Sequence, residues 1–115
     1  MAITIYHNPK CGKSRQTLAL LRARGIEPAI VEYLKKPPSA AELARILKWM
    51  GKRPLEVVRI KEAREAGIDP GSLSDAQLIA KIVAQPQILK RPIVVNGDRA
   101  VVGRPPKSVL AILPR

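Results

Sequence analysis

The fold is decided by Ala2–Ser14, whose sequence is AITIYHNPKCGKS. Its first five residues, Ala2–Tyr6, are compact and β-branched, and this pattern predicts a buried strand. His7–Gly12 has the composition of a turn. Leucines and alanines then recur at helical spacing up to Gly25, which predicts a helix that stops there. The segment therefore predicts a strand, a loop that carries Cys11, and a helix.

A second strand and a second helix follow. Ala29–Tyr33 has the sequence AIVEY and is predicted to be a strand. Ser39 is a good helix N-cap, and Glu42, three residues later, completes a predicted capping box. The helix is expected to run to about Met50 and to end at Gly51.

The middle of the chain has a weaker pattern. Leu55–Val58 and Lys61–Ala66 each resemble one apolar helical turn. Asp69–Ser74 has the sequence DPGSLS and is predicted to be a loop. A further helix is expected from the end of this loop to about Ala84, where Gln85-Pro86 stops it.

The strongest hairpin pattern lies near the C-terminus. Pro92–Val95 and Arg99–Val102 are β-branched runs on either side of Asn96-Gly97, a dipeptide that favours a type I′ turn. Pro105-Pro106 can begin a last helix over Lys107–Leu113, because proline is tolerated in the first turn.

This order of elements is the outline of a thioredoxin-like α/β fold. A strand–helix–strand unit is followed by helices, a hairpin and a closing helix. We expect a four-stranded mixed sheet flanked by helices, with a helical insertion between the second and third strands. A chain of 115 residues is sufficient for one hydrophobic core, so one domain over residues 1–115 is expected.

Composition and charge limit the classes of partner. The chain is 46% hydrophobic, which favours a folded protein, and its formal net charge of +12 favours anionic partners. These include nucleic acid, membrane phosphates and small oxyanions. Only 3% of the residues are aromatic, too few for the stacking platform of a single-strand nucleic-acid binder.

A reducing compartment is the expected location. The single cysteine excludes an intramolecular disulfide. The N-terminal apolar run is too short for a signal peptide, and no stretch approaches the roughly 20 apolar residues of a membrane span. These features predict a cytoplasmic protein.

Cys11 has the sequence context of an ionised nucleophile. The backbone N–H groups of Gly12, Lys13 and Ser14 are unpaired at the predicted helix start, where the helix dipole is positive. Both effects favour the thiolate, which is the nucleophilic form. The same helix end can bind an anion. One loop can therefore ionise the sulfur and hold an oxyanion beside it.

Residue spacing excludes two familiar thiol motifs. A dithiol site needs C-x-x-C, but Ser14 stands in place of the second cysteine. A phosphatase loop needs C-x5-R, but that position is Thr17. A single-thiol chemistry remains, and it requires a thiol from outside the chain. His7, the only histidine, lies in the same loop and could favour the Cys11 thiolate. No metal site is predicted, because no metal-binding cluster exists.

Three arginines are candidates for binding a tetrahedral oxyanion, because a guanidinium group offers a planar, bidentate match. Arg91 precedes Pro92, which in a thioredoxin-like fold faces the cysteine loop and is commonly cis. Arg104 follows the predicted hairpin, and Arg59 follows a short apolar turn. The sequence alone does not bring these three together.

The segment ITIYHNPKCGKSRQT, residues Ile3–Thr17, closely resembles the active-site start of the glutaredoxin-dependent arsenate reductase family. The resemblance also covers RPIVV at Arg91–Val95, GRP at Gly103–Pro105, and Arg59 with the following Lys61-Glu62. It extends over nearly the whole chain.

The resemblance implies a role for each candidate residue. Cys11 corresponds to the family's nucleophile, Ser14 to a serine that assists its ionisation, and His7 to a histidine near it. The family's three oxyanion-holding arginines correspond, in this chain, to Arg59, Arg91 and Arg104. The family uses no bound cofactor. Arsenate forms a covalent adduct on the sulfur, glutathione attacks it, and glutaredoxin helps release arsenite.

Two other functions remain open at this point. The first is that of a glutathione-dependent thiol transferase that acts on another substrate. Some proteins of similar fold regulate transcription by binding RNA polymerase, and the charge of +12 suits that role. Those regulators typically carry C-x-x-C as a redox switch, so Ser14 argues against this alternative.

Overall fold

The computed structural model describes residues 2–114. Within this range, four strands and four α-helices alternate with short 3-10 turns. In chain order the regular elements are β1 (Ile3–His7), α1 (Gly12–Ala23), β2 (Ala29–Glu32), α2 (Ala40–Met50), α3 (Ile60–Glu65), α4 (Asp75–Ala84), β3 (Ile93–Asn96) and β4 (Arg99–Val102).

The sheet has the strand order β2-β1-β3-β4. β1 is parallel to β2, with Ile5 beside Ile30, and antiparallel to β3, with Ile5 beside Val94. β3 and β4 form an antiparallel hairpin. The predicted thioredoxin-like fold is therefore confirmed: a four-stranded mixed sheet flanked by helices, with the helical insertion between β2 and β3.

Apolar side chains pack on both faces of the sheet because neighbouring residues of a strand point to opposite sides. On one face, Ile3 and Ile5 of β1 join Val94 of β3 in a cluster that includes Leu21 of α1. On the other face, Tyr6 joins a larger cluster from α2, α3 and α4. Both faces of the sheet are therefore covered by apolar side chains. The functional candidates, including Cys11, lie in loops at the ends of the strands.

The capping box predicted for α2 forms only in half. The Ser39 hydroxyl accepts a hydrogen bond from the Glu42 backbone N–H at 3.1 Å, as expected. The Glu42 carboxylate does not return to the cap, because it accepts a hydrogen bond from the Tyr6 hydroxyl at 2.5 Å. A complete capping box lies instead at the start of α4, between Ser74 and Gln77.

The hairpin turn is one residue later than predicted. Asn96 pairs with Arg99, so the two turn residues are Gly97 and Asp98. Gly97 has φ 63 and Asp98 does not have a positive φ. A positive φ at the first turn residue alone indicates a type II′ turn rather than type I′. Asn96 is held in the sheet because its side chain donates a hydrogen bond to the Ile112 carbonyl at 2.6 Å.

The predicted closing helix over Lys107–Leu113 is present as a 3-10 helix over Pro106–Ile112. In a 3-10 helix, residues three apart lie directly above one another. Val109 and Ile112 have this spacing and are both buried. The tighter helix thus presents one narrow apolar edge to the sheet.

Gly103 lies where the chain after β4 passes closest to α1. Its N–H donates to the Pro92 carbonyl at 2.8 Å. A Cβ atom at Gly103 would lie 2.8 Å from Thr17 Oγ1 and 3.0 Å from Pro92 Cγ. This packing fixes the position of the segment that begins with Arg104.

We predict that Gly103→Ala lowers the free energy of unfolding by about 1–3 kcal/mol, because the added methyl group overpacks the contact with Thr17. Urea denaturation measures the change. Gly71→Ala is the matched control, since the nearest atom to its Cβ would be 3.9 Å away. A Gly103→Ala variant as stable as Gly71→Ala would contradict the close contact.

Candidate active site

Cys11 is the residue immediately before α1. Its backbone N–H donates to the Asn8 carbonyl at 3.0 Å, and its own carbonyl accepts from the Arg15 N–H at 3.0 Å. The loop between β1 and α1 is therefore a tight turn that ends on the cysteine. The Cys11 side chain is partly exposed, so a small solute can reach the sulfur.

The surroundings of Cys11 favour the thiolate. Burial alone would raise the pKa of the Cys11 thiol, but the backbone N–H groups of Ser14 and Lys13 and the Arg91 guanidinium outweigh it. Together they hold the thiol pKa below its ordinary value. The contributions of these donors to the lowered pKa are mainly those of hydrogen bonds to the thiolate, with the positive charge of Arg91 adding to them.

Ser14 connects the start of α1 to the end of β1. Its side chain is fully buried. The hydroxyl accepts a hydrogen bond from the Asn8 backbone N–H at 3.0 Å and lies 2.6 Å from His7 Nδ1. We assign the hydroxyl proton to this second contact, with Nδ1 as acceptor. The arrangement fixes the Cys11 loop at both ends.

His7 is placed to position the loop. Burial lowers the pKa of His7, and the positive charges of Arg22 and Arg15 lower it further against the opposing effect of Glu32. A neutral imidazole can accept the hydrogen bond from Ser14. His7 therefore influences Cys11 through its hydrogen bond with Ser14, and it does not place a positive charge beside the sulfur.

We predict that the pKa of His7 lies below the ordinary value of about 6.5. An NMR titration of the imidazole protons measures it without assignment, since the chain has one histidine. The unfolded chain binds the proton more readily, so the contribution of His7 to stability is complete above about pH 6.5 and decreases as the pH falls below it. A pKa at or above 6.5 would contradict the neutral imidazole.

We predict that Ser14→Ala lowers the free energy of unfolding by about 1–3 kcal/mol, because the Asn8 N–H and His7 Nδ1 both lose their buried partner. The Cys11 thiol pKa should change little, since the backbone N–H of residue 14 remains. Urea denaturation and the pH dependence of thiol absorbance measure the two effects. Ser72→Ala removes an exposed hydroxyl and is the control. A large rise of the thiol pKa would show that the hydroxyl itself ionises Cys11.

Arg91 lies beside the cysteine loop. The Arg91–Pro92 peptide bond is cis, as expected from the fold. The guanidinium acts on the sulfur of Cys11 and on the hydroxyl of Tyr33. Its Nε atom is buried and has no hydrogen-bond partner among residues 2–114. Arg91 therefore keeps hydrogen-bonding capacity next to the thiolate.

Arg59 immediately precedes α3 and is tied to the chain before β3. Its N–H donates to the Ile88 carbonyl at 2.7 Å. The half-buried guanidinium pairs with Glu62 at 3.2 Å and also acts on the Tyr33 hydroxyl. Arg59 and Arg91 thus share Tyr33 as a neighbour, although they are far apart in the sequence.

Arg104 is the most exposed of the three arginines. It also precedes a cis-proline, Pro105. Its guanidinium donates to the Arg91 carbonyl at 3.3 Å, so the chain segment of Arg104 lies against that of Arg91. Arg104 also lines a groove of about 650 Å³ whose walls do not include Cys11. Gly12 and Lys13, the remaining predicted binding residues, form the first turn of α1 and are exposed.

Tyr33 was not among the predicted site residues. It follows β2 directly and is completely buried. Burial raises the pKa of Tyr33, while Arg91 and Arg59 lower it and Cys11 raises it. One indication was available, because the residues that follow two parallel strands emerge at the same edge of the sheet. A lone tyrosine at the end of a strand is otherwise typical of a core residue.

Two kinds of feature are absent from the part of the chain that the structure describes. In the range 2–114, no group of three His, Cys, Asp or Glu residues is placed to hold a metal ion. Over the same residues, no helix has both the length and the apolar character needed to cross a bilayer.

A cysteine directly before a helix, an arginine that acts on it and precedes a cis-proline, and a sheet of order β2-β1-β3-β4 together define a thioredoxin-like protein. The chain belongs to the ArsC family, whose family model matches residues 6–112.

Relatives and solved structures resemble the chain over nearly its full length. The uncharacterized protein YfgD of Escherichia coli is 45% identical over 114 residues, 96% of each chain. An arsenate reductase of Haemophilus influenzae is 45% identical over 116 residues, which cover 98% of this chain and all of that protein. The structure of an arsenate reductase from Vibrio cholerae superimposes with a TM-score of 0.88 at 42% identity and covers 98% of both chains.

Proposed function

We propose that the chain is an arsenate reductase in which the Cys11 thiolate attacks arsenate. The observation that carries the proposal is the position of Cys11 immediately before α1 and beside Arg91, whose buried Nε atom has no partner among the described residues. The N–H groups of the helix start and Arg91 hold the pKa of the thiol below its ordinary value. A lowered pKa supplies the nucleophile at neutral pH. The same N–H groups and guanidinium suit a tetrahedral anion bound beside the sulfur. The relatives named arsenate reductase support the choice of arsenate.

The reaction begins with bond formation between Cys11 Sγ and arsenic. One arsenate oxygen leaves as water after it takes up protons, and arsenic remains in its pentavalent state on the sulfur. The developing negative charge on the remaining oxygens is stabilised by the backbone N–H groups of the helix start and by the arginines. Gly12, Lys13 and Ser14 supply the N–H groups, and Arg91 supplies the adjacent guanidinium.

Reduction of the adduct requires a second thiol. Cys11 is the only cysteine, so this thiol comes from another molecule, for which we propose glutathione. Glutathione attacks the adduct, arsenic accepts two electrons and leaves as arsenite, and the two sulfurs become a mixed disulfide. Glutaredoxin and a further glutathione then restore the Cys11 thiol. These reductants place the reaction in a reducing compartment, the cytoplasm.

Arg59 and Arg104 complete the proposed oxyanion site together with Arg91. Arg59 is supported by its position next to Tyr33, which is itself next to Arg91. Arg104 is supported by the hydrogen bond that its guanidinium donates to the Arg91 carbonyl. The side chains of His7 and Ser14 hold the loop through their mutual hydrogen bond, while the Ser14 backbone N–H faces the anion.

A coupled assay of the purified protein tests the proposal. Arsenate reduction is followed as NADPH consumption through glutathione reductase, with glutathione and glutaredoxin present together, singly, or absent. We expect arsenite only when both reductants are present, and no turnover when phosphate replaces arsenate. Absence of arsenite under the complete conditions, with folded protein, would overturn the proposed function.

A further inference from the structure

Tyr33 lies at the edge of the sheet where the Cys11 loop begins. β1 and β2 are parallel, and His7, the last residue of β1, pairs with Glu32, the last residue of β2. The next residues, Asn8 and Tyr33, therefore leave the sheet side by side. This register places Tyr33 beside the cysteine loop, although the two are far apart in the sequence.

The hydroxyl of Tyr33 is an unpaired polar group in the interior. The residue has 0% exposure, and Oη has no hydrogen-bond partner in the described range 2–114. A buried hydroxyl without a partner is unfavourable, and natural structures rarely retain one without a reason. The other tyrosine, Tyr6, shows the usual solution, since its hydroxyl donates to Glu42.

The neighbours of the hydroxyl show which kind of group it lacks. Burial raises the pKa of the Tyr33 hydroxyl, whereas Arg91, which lies before β3, and Arg59, which lies before α3, both lower it. Both guanidinium groups are donors that cannot accept a hydrogen bond. They can occupy the lone pairs of the tyrosine oxygen but not its proton. The proton of Tyr33 therefore needs an acceptor that these two arginines cannot supply.

Arg91 also has a buried donor that lacks an acceptor. Its Nε atom is buried and is likewise without a partner within the described part of the chain. Tyr33 Oη and Arg91 Nε are thus two buried donors without an acceptor in the described residues, and Arg91 acts on both Tyr33 and Cys11. An anion with several oxygens is the ligand that satisfies such a set.

We propose that the Tyr33 hydroxyl donates a hydrogen bond to the oxyanion bound at Cys11 and is a substrate-binding residue beside the arginines. This inference rests on the proposed function, because the anion it binds is the substrate of that reaction. It adds a neutral donor to a site otherwise built from cations and backbone N–H groups.

Tyr33→Phe removes the donor and keeps the ring. Binding of inorganic phosphate is measured by calorimetry, since phosphate has the shape of arsenate and is not reduced. A hydrogen bond to a charged group predicts that the dissociation constant rises about tenfold to a hundredfold. The thermal midpoint should not fall, because the lost hydroxyl had no partner. An unchanged dissociation constant would overturn the inference.

Tyr6→Phe is the matched control. It removes the other tyrosine hydroxyl of the chain, which is also buried but has Glu42 as its partner. We expect it to lower stability and to leave the phosphate dissociation constant unchanged. If the phosphate dissociation constant rises in both variants, the effect comes from disturbed packing of the core, and the inference is overturned.

A second measurement keeps both tyrosine hydroxyls in place during the phosphate titration. Biosynthetic 3-fluorotyrosine gives one fluorine signal for each of the two tyrosines, and the Tyr6→Phe variant identifies them. Phosphate titration should shift the Tyr33 signal saturably and leave the Tyr6 signal in place. No shift at Tyr33 under conditions where phosphate binds would overturn the inference.

Both measurements are made without reductants, so they separate the two proposals. A protein that binds phosphate through Tyr33 but produces no arsenite would retain the inference and lose the proposed function. A protein that reduces arsenate while Tyr33→Phe binds phosphate as the wild type does would retain the function and lose the inference.

Discussion

Replacing Cys11 with serine is expected to abolish arsenate reduction, with a loss in kcat/KM of at least about 10³-fold. The N–H groups of the helix start and Arg91 lower the pKa of a thiol into a useful range, but they cannot ionise an aliphatic hydroxyl near neutral pH. The serine oxygen also cannot form the mixed disulfide through which the electrons pass. The coupled NADPH assay measures the loss.

The Cys11→Ser protein should still fold and bind phosphate within about threefold of the wild type, because the backbone N–H groups of α1 and the Arg91 side chain remain in place. This control separates loss of the nucleophile from loss of the anion site. Substantial turnover by Cys11→Ser would contradict the role of the sulfur, since no other cysteine can replace it.

Replacing Arg91 should produce the next largest loss. Arg91→Ala removes a donor that acts on both Cys11 and Tyr33, and we expect about 10²- to 10³-fold lower kcat/KM, the usual effect of removing a group that stabilises an oxyanion. The Cys11 thiol pKa should also rise. Arg91→Lys keeps the charge but loses the planar fork, so its thiol pKa should rise less while catalysis remains impaired.

Arg64→Ala is the matched control for Arg91. Arg64 lies in the last turn of α3 and is exposed, so its loss should change neither the thiol pKa nor kcat/KM beyond about twofold. If Arg91→Ala behaves like Arg64→Ala in both measurements, Arg91 does not belong to the site.

The local features around Cys11 were predictable because they depend on short stretches of sequence. The strand before Cys11, the tight turn and the helix after it each have their own pattern, and together they place the sulfur at a helix start. The cis bond before Pro92 followed from the fold. The edges of β1, β2 and β3 differ from the predicted ones by a residue, because neighbouring strands and not local pattern determine where pairing ends.

The features that were missed depend on contacts between distant segments. The turn after β3 shifts because Asn96 bonds to the Ile112 carbonyl, a contact that the Asn96-Gly97 dipeptide does not encode. The second hydrogen bond of the α2 capping box does not form, because the Glu42 carboxylate accepts a hydrogen bond from the Tyr6 hydroxyl instead. In the sequence, Tyr33 has the pattern of a core residue. Its proposed role depends on its unpaired hydroxyl and on the neighbouring Arg91 and Arg59, which only the three-dimensional structure brings together.

The pH dependence of Cys11 alkylation tests the central claim most directly, because iodoacetamide can label only one cysteine in this chain. If one loop both ionises the sulfur and binds an oxyanion, the alkylation midpoint lies below the ordinary thiol pKa of about 8.5, and phosphate or arsenate slows the reaction saturably. A midpoint at or above 8.5, with no protection by either anion, would contradict the claim.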